Sequence, residues 1–189
     1  MTTTTAATTS VRELSGTYTL DPSHSRVGFI ARHAMIAKVR GSFDEVSGSA
    51  SINGADPAAS SLEVTINAAS IDTRDANRDG HLRSADFFDV ETYPSITFKG
   101  TDFSIVDDET VEVTGDLTIK DTTCSVTVPF TFNGVAVDPF GNSRAGFEGQ
   151  VVVNRKDWGL TWNAALETGG VLVSDKVTLE LEVSAVKAA

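Results

Sequence analysis

The chain has 189 residues, 40% of them hydrophobic, with 15 Lys and Arg against 26 Asp and Glu, a net charge of −11. That length and composition suit one globular domain with a core of its own. The acidic balance argues against nucleic acid and against adsorption to anionic membrane surfaces, both of which need clustered cations.

Positions 1–15 read as a disordered tail. Met1 to Ser10 is rich in Thr and Ala and has no Lys or Arg, so it lacks the basic start and the apolar core of a secretory signal. No apolar run approaches the roughly 18 residues of a spanning helix. The expectation is a soluble, cytoplasmic protein whose single domain occupies positions 16–189.

From Gly16 onward most of the chain alternates apolar and polar residues. Gly16 to Leu20 is a short strand, and Asp21-Pro22-Ser23 is a turn. In the next strand Val27, Phe29, Ala31 and His33 share one face, because residues two apart point the same way. Val39, Gly41 and Phe43 form a further row. Ser47 to Ile52 is small and polar, an edge or a bend, and Asn53-Gly54 begins a turn. Leu62, Val64, Ile66 and Ala68 alternate cleanly with polar neighbours.

The stretch from Ser70 to Pro94 breaks the alternation. Thr73 or Asp75 can cap a short helix in which Asp79 and Arg83 stand four apart and Gly80 is a weak point. Asp86 opens a second turn that carries Phe87 and Phe88. This segment reads as a lid; a solid core plug would use the same residues.

Beyond it, Ile96 and Phe98 resume the strand pattern. Val111, Val113, Gly115, Leu117 and Ile119 form the next row, then Val126, Val128, Phe130 and Phe132. Pro129 lies on the outward side, so it must miss a ladder bond or mark a bulge. Phe147 to Val153 and Val177 to Val183 are the last strands; between them Arg155 to Gly159 and Leu160 to Leu166 have no clear period. There is no internal repeat and no dividing linker.

Eight or so strands with one apolar face each make an all-β, antiparallel, half-buried sheet. A sandwich and a closed barrel both fit. The inward rows mix Phe with Gly and Ala, which suits a tapered or hollow interior, and one helical excursion can close one mouth. The expected fold is an eight-stranded antiparallel barrel with a short helical lid.

Chemistry-bearing residues are sparse. His24, His33 and His81 have no ligand-pair spacing and no Cys cluster beside them, so no metal is expected. Cys124 is a lone thiol that permits no intrachain disulfide, and it has no His near in sequence, so it reads as inert. No Gly-x-Ser-x-Gly elbow, phosphate-binding loop or dinucleotide fingerprint occurs, and no cofactor is implied. An apolar interior with a few polar groups at its rim is instead a binding site for a hydrophobic molecule.

Leu20-Asp-Pro-Ser-His-Ser-Arg-Val-Gly-Phe29, His33 and Val39-Arg-Gly-Ser-Phe43 resemble the opening of the YceI family. Arg78 to Val90, Tyr93 to Phe98, Gly115 to Ile119 and Arg155-Lys-Asp-Trp-Gly159 resemble its later blocks, and the similarity runs from about Gly16 to Val186. The resemblance implies an extended, lipocalin-like antiparallel barrel holding an isoprenoid-type lipid such as a polyisoprenoid or an isoprenoid quinone. It implies no catalytic residue. Many members are periplasmic; this sequence departs from them in showing no signal. His33, Phe87, Phe88, Ile96 and Phe98 would face the cavity. With the inward rows, Val27, Phe29, Ala31, Phe43, Val64, Ile66, Leu117, Phe130 and Phe132 join them, as does Trp158. Three functions stay open: a lipid carrier or store, an enzyme using His33 or His81 on a hydrophobic substrate, and a solid-core sandwich that binds partners. A homodimer is compatible with each.

Overall fold

Period-two alternation makes one face of a strand apolar, and an antiparallel meander joins such faces around a common interior. The structure is a computed structural model and describes residues 10–189. Its strands are β1 (Ser15–Leu20), β2 (Arg26–His33), β3 (Ala37–Phe43), β4 (Val46–Asn53), β5 (Ser61–Asn67), β6 (Ile71–Asp72), β7 (Ser95–Ile105), β8 (Thr110–Ile119), β9 (Thr122–Val137), β10 (Ser143–Asn154) and β11 (Lys176–Lys187). The one α-helix among the described residues is α1 (Ala76–Arg83). It is far too short to cross a membrane.

These segments build an eight-stranded wall, because three pairs of them act as single bent strands. β1 and β2 share one edge of β11, with Leu20 opposite Ala185 and Val27 opposite Leu181. The chain breaks between them at the turn begun by Asp21, whose carboxylate caps Pro22–His24. β3 and β4 bend at Asp44 and Glu45, and β5 and β6 at Ala68–Ser70. The order β1-β4-β5-β7-β8-β9-β10-β11 returns to β1, which closes the barrel and removes most strand edges.

Five expectations need correction. Ser47 to Ile52 is neither an edge nor a bend: β4 lies between β1 and β5. Its small residues are needed inside, where a Cβ on Gly48 would stand 3.0 Å from the Glu63 carbonyl oxygen and 3.2 Å from Val64. Residues 10–14, assigned to a tail, are built into the fold. Ser10 caps a turn of 3-10 helix, Val11–Glu13, and Val11 and Leu14 are buried. The Val11 amide donates to the Asp108 carbonyl and the Gly54 amide to that of Leu14, which closes this far end of the barrel. The rest of that expectation, positions 1–9, lies outside the described residues. The third correction is in the lid. Asp75 caps α1, its carboxylate accepting from the Arg78 amide, but Asp79 and Arg83 do not pair. Buried Asp79 accepts from the Thr73 amide and hydroxyl at 2.9 and 2.6 Å. Arg83 donates to the carbonyls of Ala69 and Ile71, so both side chains tie the helix back to β6. The fourth and fifth, His33 and Phe132, concern the site.

Pro129 marks where a ladder stops. Phe132 donates its amide to the Glu109 carbonyl, on the β8 side, so Pro129, of opposite parity, turns its missing N–H toward β10. Pairing of β9 with β10 ends one residue away, at Phe130 and Gly149. Beyond that point the wall is completed by a 3-10 turn, Arg155–Trp158, whose Trp158 indole N–H donates to the Leu117 carbonyl at 2.8 Å.

Candidate functional site

The inward faces do not fill the barrel. A cavity of about 340 Å³ runs from Val11, Gly54 and Ser60 at the far end to Leu82, Leu160 and Val173 at the lid end. That is the lower end of ordinary ligand pockets, and an eight-stranded barrel is just wide enough for one small ligand. The wall is almost wholly apolar.

The glycines explain how the axis stays open. Phe29 stands opposite Gly41 across the β2–β3 ladder, and a Cβ on Gly41 would lie 2.3 Å from the Phe29 ring. Phe98 covers Gly115 and Phe130 covers Gly149 in the same way, at 2.4 and 2.7 Å. Each ring occupies space that a side chain on the facing glycine would need, so the glycine leaves the ring a notch beside the wall. At the lid end Phe29, Phe43 and Phe88 form a chain of rings, with centroids 5.8 Å and then 5.7 Å apart. Such tilted and edge-on contacts are favoured aromatic geometries.

Of the expected site residues, Val27, Phe29, Ala31, Phe43, Val64, Ile66, Phe87, Phe88, Ile96, Phe98, Leu117, Phe130 and Trp158 border this cavity. Two do not. His33 is exposed at the end of β2, where the alternation continues past the wall and there is no interior left to face. Phe132 is buried at the far end, packed on Phe147 with ring centroids 5.3 Å apart, and does not reach the channel.

The sequence reading missed Tyr18, Leu179 and Leu181 as liners, although each belongs to an alternating row. Burial pushes the Tyr18 phenol pKa up. It also missed Arg155, which no periodicity marks. This buried side chain borders the lid end and donates to the carbonyls of Ser174, Leu160 and Val173. Burial lowers its pKa, an effect the Asp175 carboxylate, 3.7 Å away, opposes. Arg155 spends its donors on the loop it holds.

Neither the three histidines nor Cys124 borders the channel. His81 Nε2 bonds the Asp86 carboxylate at 2.9 Å, and its ring meets Trp162 and Phe87 edge-on. His24 bonds Asp21 and Ser23 through one nitrogen, Nδ1. The Cys124 thiol lies 3.6 Å from the Asp157 carbonyl. Among the described residues no three of His, Cys, Asp and Glu come together as a metal site would require. The arrangement can hold an apolar molecule.

Comparison with known proteins agrees with this geometry. The YceI-like domain matches residues 18–185. A UPF0312 protein of Ectopseudomonas mendocina is 39% identical over 138 residues, covering 73% of this chain and 72% of its own. A UPF0312 protein of Staphylococcus aureus is 37% identical over 166 residues, covering 86% and 93%. Among solved structures, BcnA of Burkholderia cenocepacia superposes with a TM-score of 0.76 at 26% identity, over 87% of this chain and 98% of its own. The Campylobacter jejuni YceI protein gives 0.71 at 30% identity, over 84% and 90%. A polyisoprenoid binding domain from Saccharophagus degradans shares the fold, with a TM-score of 0.69 at 16% identity over 90% and 98%. With its closed barrel, open axis and matching domain, the chain belongs to the YceI-like family.

Proposed function

We propose that the barrel binds one long apolar molecule of isoprenoid type, a polyisoprenoid or the tail of an isoprenoid quinone, as its carrier, store or sequestering protein. The observation that carries this reading is the continuous apolar channel of about 340 Å³, kept open by rings laid over glycines. A chain of methylenes and methyls entering it contributes roughly 0.8 kcal/mol per buried methylene before ordering costs. The Saccharophagus degradans domain of the same fold is described as polyisoprenoid binding, which favours the same class of occupant. The histidines that an enzyme would use, His33 and His81, do not border the channel, so binding without turnover is the better reading. Native mass spectrometry of freshly purified protein, followed by organic extraction, tests it. The expected result is a co-purifying apolar molecule. An empty extract, together with no binding of a fluorescent isoprenoid probe, would overturn it.

A further inference from the structure

The charge of −11 is unevenly distributed. Positions 22–43 contain Arg26, Arg32, Lys38 and Arg40 and no Asp or Glu. Arg26 and Arg40 share one carboxylate, Glu180, each at 3.7 Å. Arg32 and Lys38 stand directly opposite each other on β2 and β3, both exposed, with no acidic partner among the described residues. Like charges directly opposed across a ladder are destabilising, so the hairpin carries a local conflict that an external anion would relieve.

The tip of the same hairpin is apolar. Met35 is 55% and Ile36 83% exposed. Ala34 and Met35 have φ of 50° and 64°, the left-handed region that side chains disfavour, and this turn holds both large side chains outward. The tip adjoins the loop at the cavity mouth. The Ala34 amide donates to the Leu172 carbonyl, His33 bridges to Val173, and Val173 lines the channel.

We infer that the β2–β3 hairpin docks the lid end of the barrel on an anionic lipid bilayer. Met35 and Ile36 enter the boundary between headgroups and acyl chains, while Arg32 and Lys38 meet lipid phosphates. Two side chains on a narrow turn fall far short of the roughly 800 Å² per partner of a stable protein interface, whereas a bilayer needs no matching surface. The net charge of −11 opposes adsorption of the molecule as a whole, and this hairpin, with four cations and no carboxylate between positions 22 and 43, is where that balance is locally reversed.

Flotation with liposomes tests this. The probe is about 30% phosphatidylglycerol in phosphatidylcholine, against phosphatidylcholine alone, at low and at high salt. The protein is expected to float with the anionic liposomes and to release at high salt. Met35→Ser with Ile36→Ser, and separately Arg32→Glu with Lys38→Glu, are each expected to lower the bound fraction at least about fivefold. All four positions are exposed, so the melting temperature should hold. An Ile36→Trp reporter should shift its emission to the blue on the same liposomes. Failure of the wild type to float, or variants that float as it does, overturns the proposal; binding of acidic proteins without liposome binding does so too. Liposomes free of isoprenoid keep this result separate from the identity of the cavity ligand.

Discussion

Gly41→Ala isolates the device that keeps the channel open. The added Cβ would meet the tip of the Phe29 ring at 2.3 Å, well inside van der Waals contact. The backbone of β3 is held by its ladder, so the ring must move, and the open side is the cavity it already borders. Turning Phe29 off its rotamer costs about 0.5–1.5 kcal/mol. Replacing a strand glycine by alanine returns about 0.5–1 kcal/mol through the unfolded state. The two nearly cancel, so the melting temperature should change little. Ligand binding should not survive so well. If the displaced ring excludes about two or three methylenes, the loss is about 2 kcal/mol, roughly thirtyfold in Kd. Gly115→Ala is the contrast. Its Cβ meets the Phe98 ring at 2.4 Å but also the Lys99 carbonyl oxygen at 2.7 Å, and that backbone atom cannot step aside. It should therefore destabilise the fold by about 1–3 kcal/mol. The assay is a thermal melt and an isoprenoid-probe titration on each preparation. Gly41→Ala melting several degrees low with unchanged affinity would refute the account of rings as the channel wall.

Ala31→Trp should fill the channel from the same strand, abolishing probe binding with near-normal melting, while Ile30→Trp, on the outer face, leaves binding intact; equal effects of the two would mean the register is wrong. Chelation by EDTA should leave the melting temperature unmoved, and a drop of several degrees would reveal a metal site. On the outer surface, Ser23, Arg144 and His24 hold the Asp21 carboxyl, and Asn142 and Arg144 that of Asp138, far below the usual carboxylate range. Depressed values in the fold mean stabilisation that is present above the unfolded pKa of about 4 and lost as pH falls below it. Arg144→Met should therefore lower the melting temperature at neutral pH, by a margin that narrows progressively as pH falls below about 4; a margin as large at about pH 2 as at pH 7 would sink the assignment.

Half-buried strands write their burial into the sequence, and that is why Phe29, Ala31, Phe98 and Leu117 could be placed inward without a structure. Alternation says which face a residue is on, but not how far along the axis it lies. Phe132 points inward correctly and is still outside the channel, and His33 continues the pattern beyond the last opposing wall. β4 was obscured because close packing against β5 demands Gly48 and small neighbours, which weaken the hydrophobic contrast. Val11 and Leu14 depend on partners at Asp108 and Gly54, contacts too distant in sequence for any local pattern to carry. Arg155 turns inward from a 3-10 segment with no period at all, held by carbonyls of a loop some five to nineteen residues away.

The open axis is itself an energetic argument. An empty apolar channel of about 340 Å³ leaves its lining atoms without partners on one side and forfeits their dispersion contacts. Water offers little relief, since each molecule wants about two to four polar partners and the wall supplies almost none. Collapse is resisted as well. The ladder closes on itself from β1 to β11, and Trp158 is pinned to the Leu117 carbonyl where β9 and β10 part. A wall held apart in this way around an interior with few polar groups suits an apolar occupant better than water.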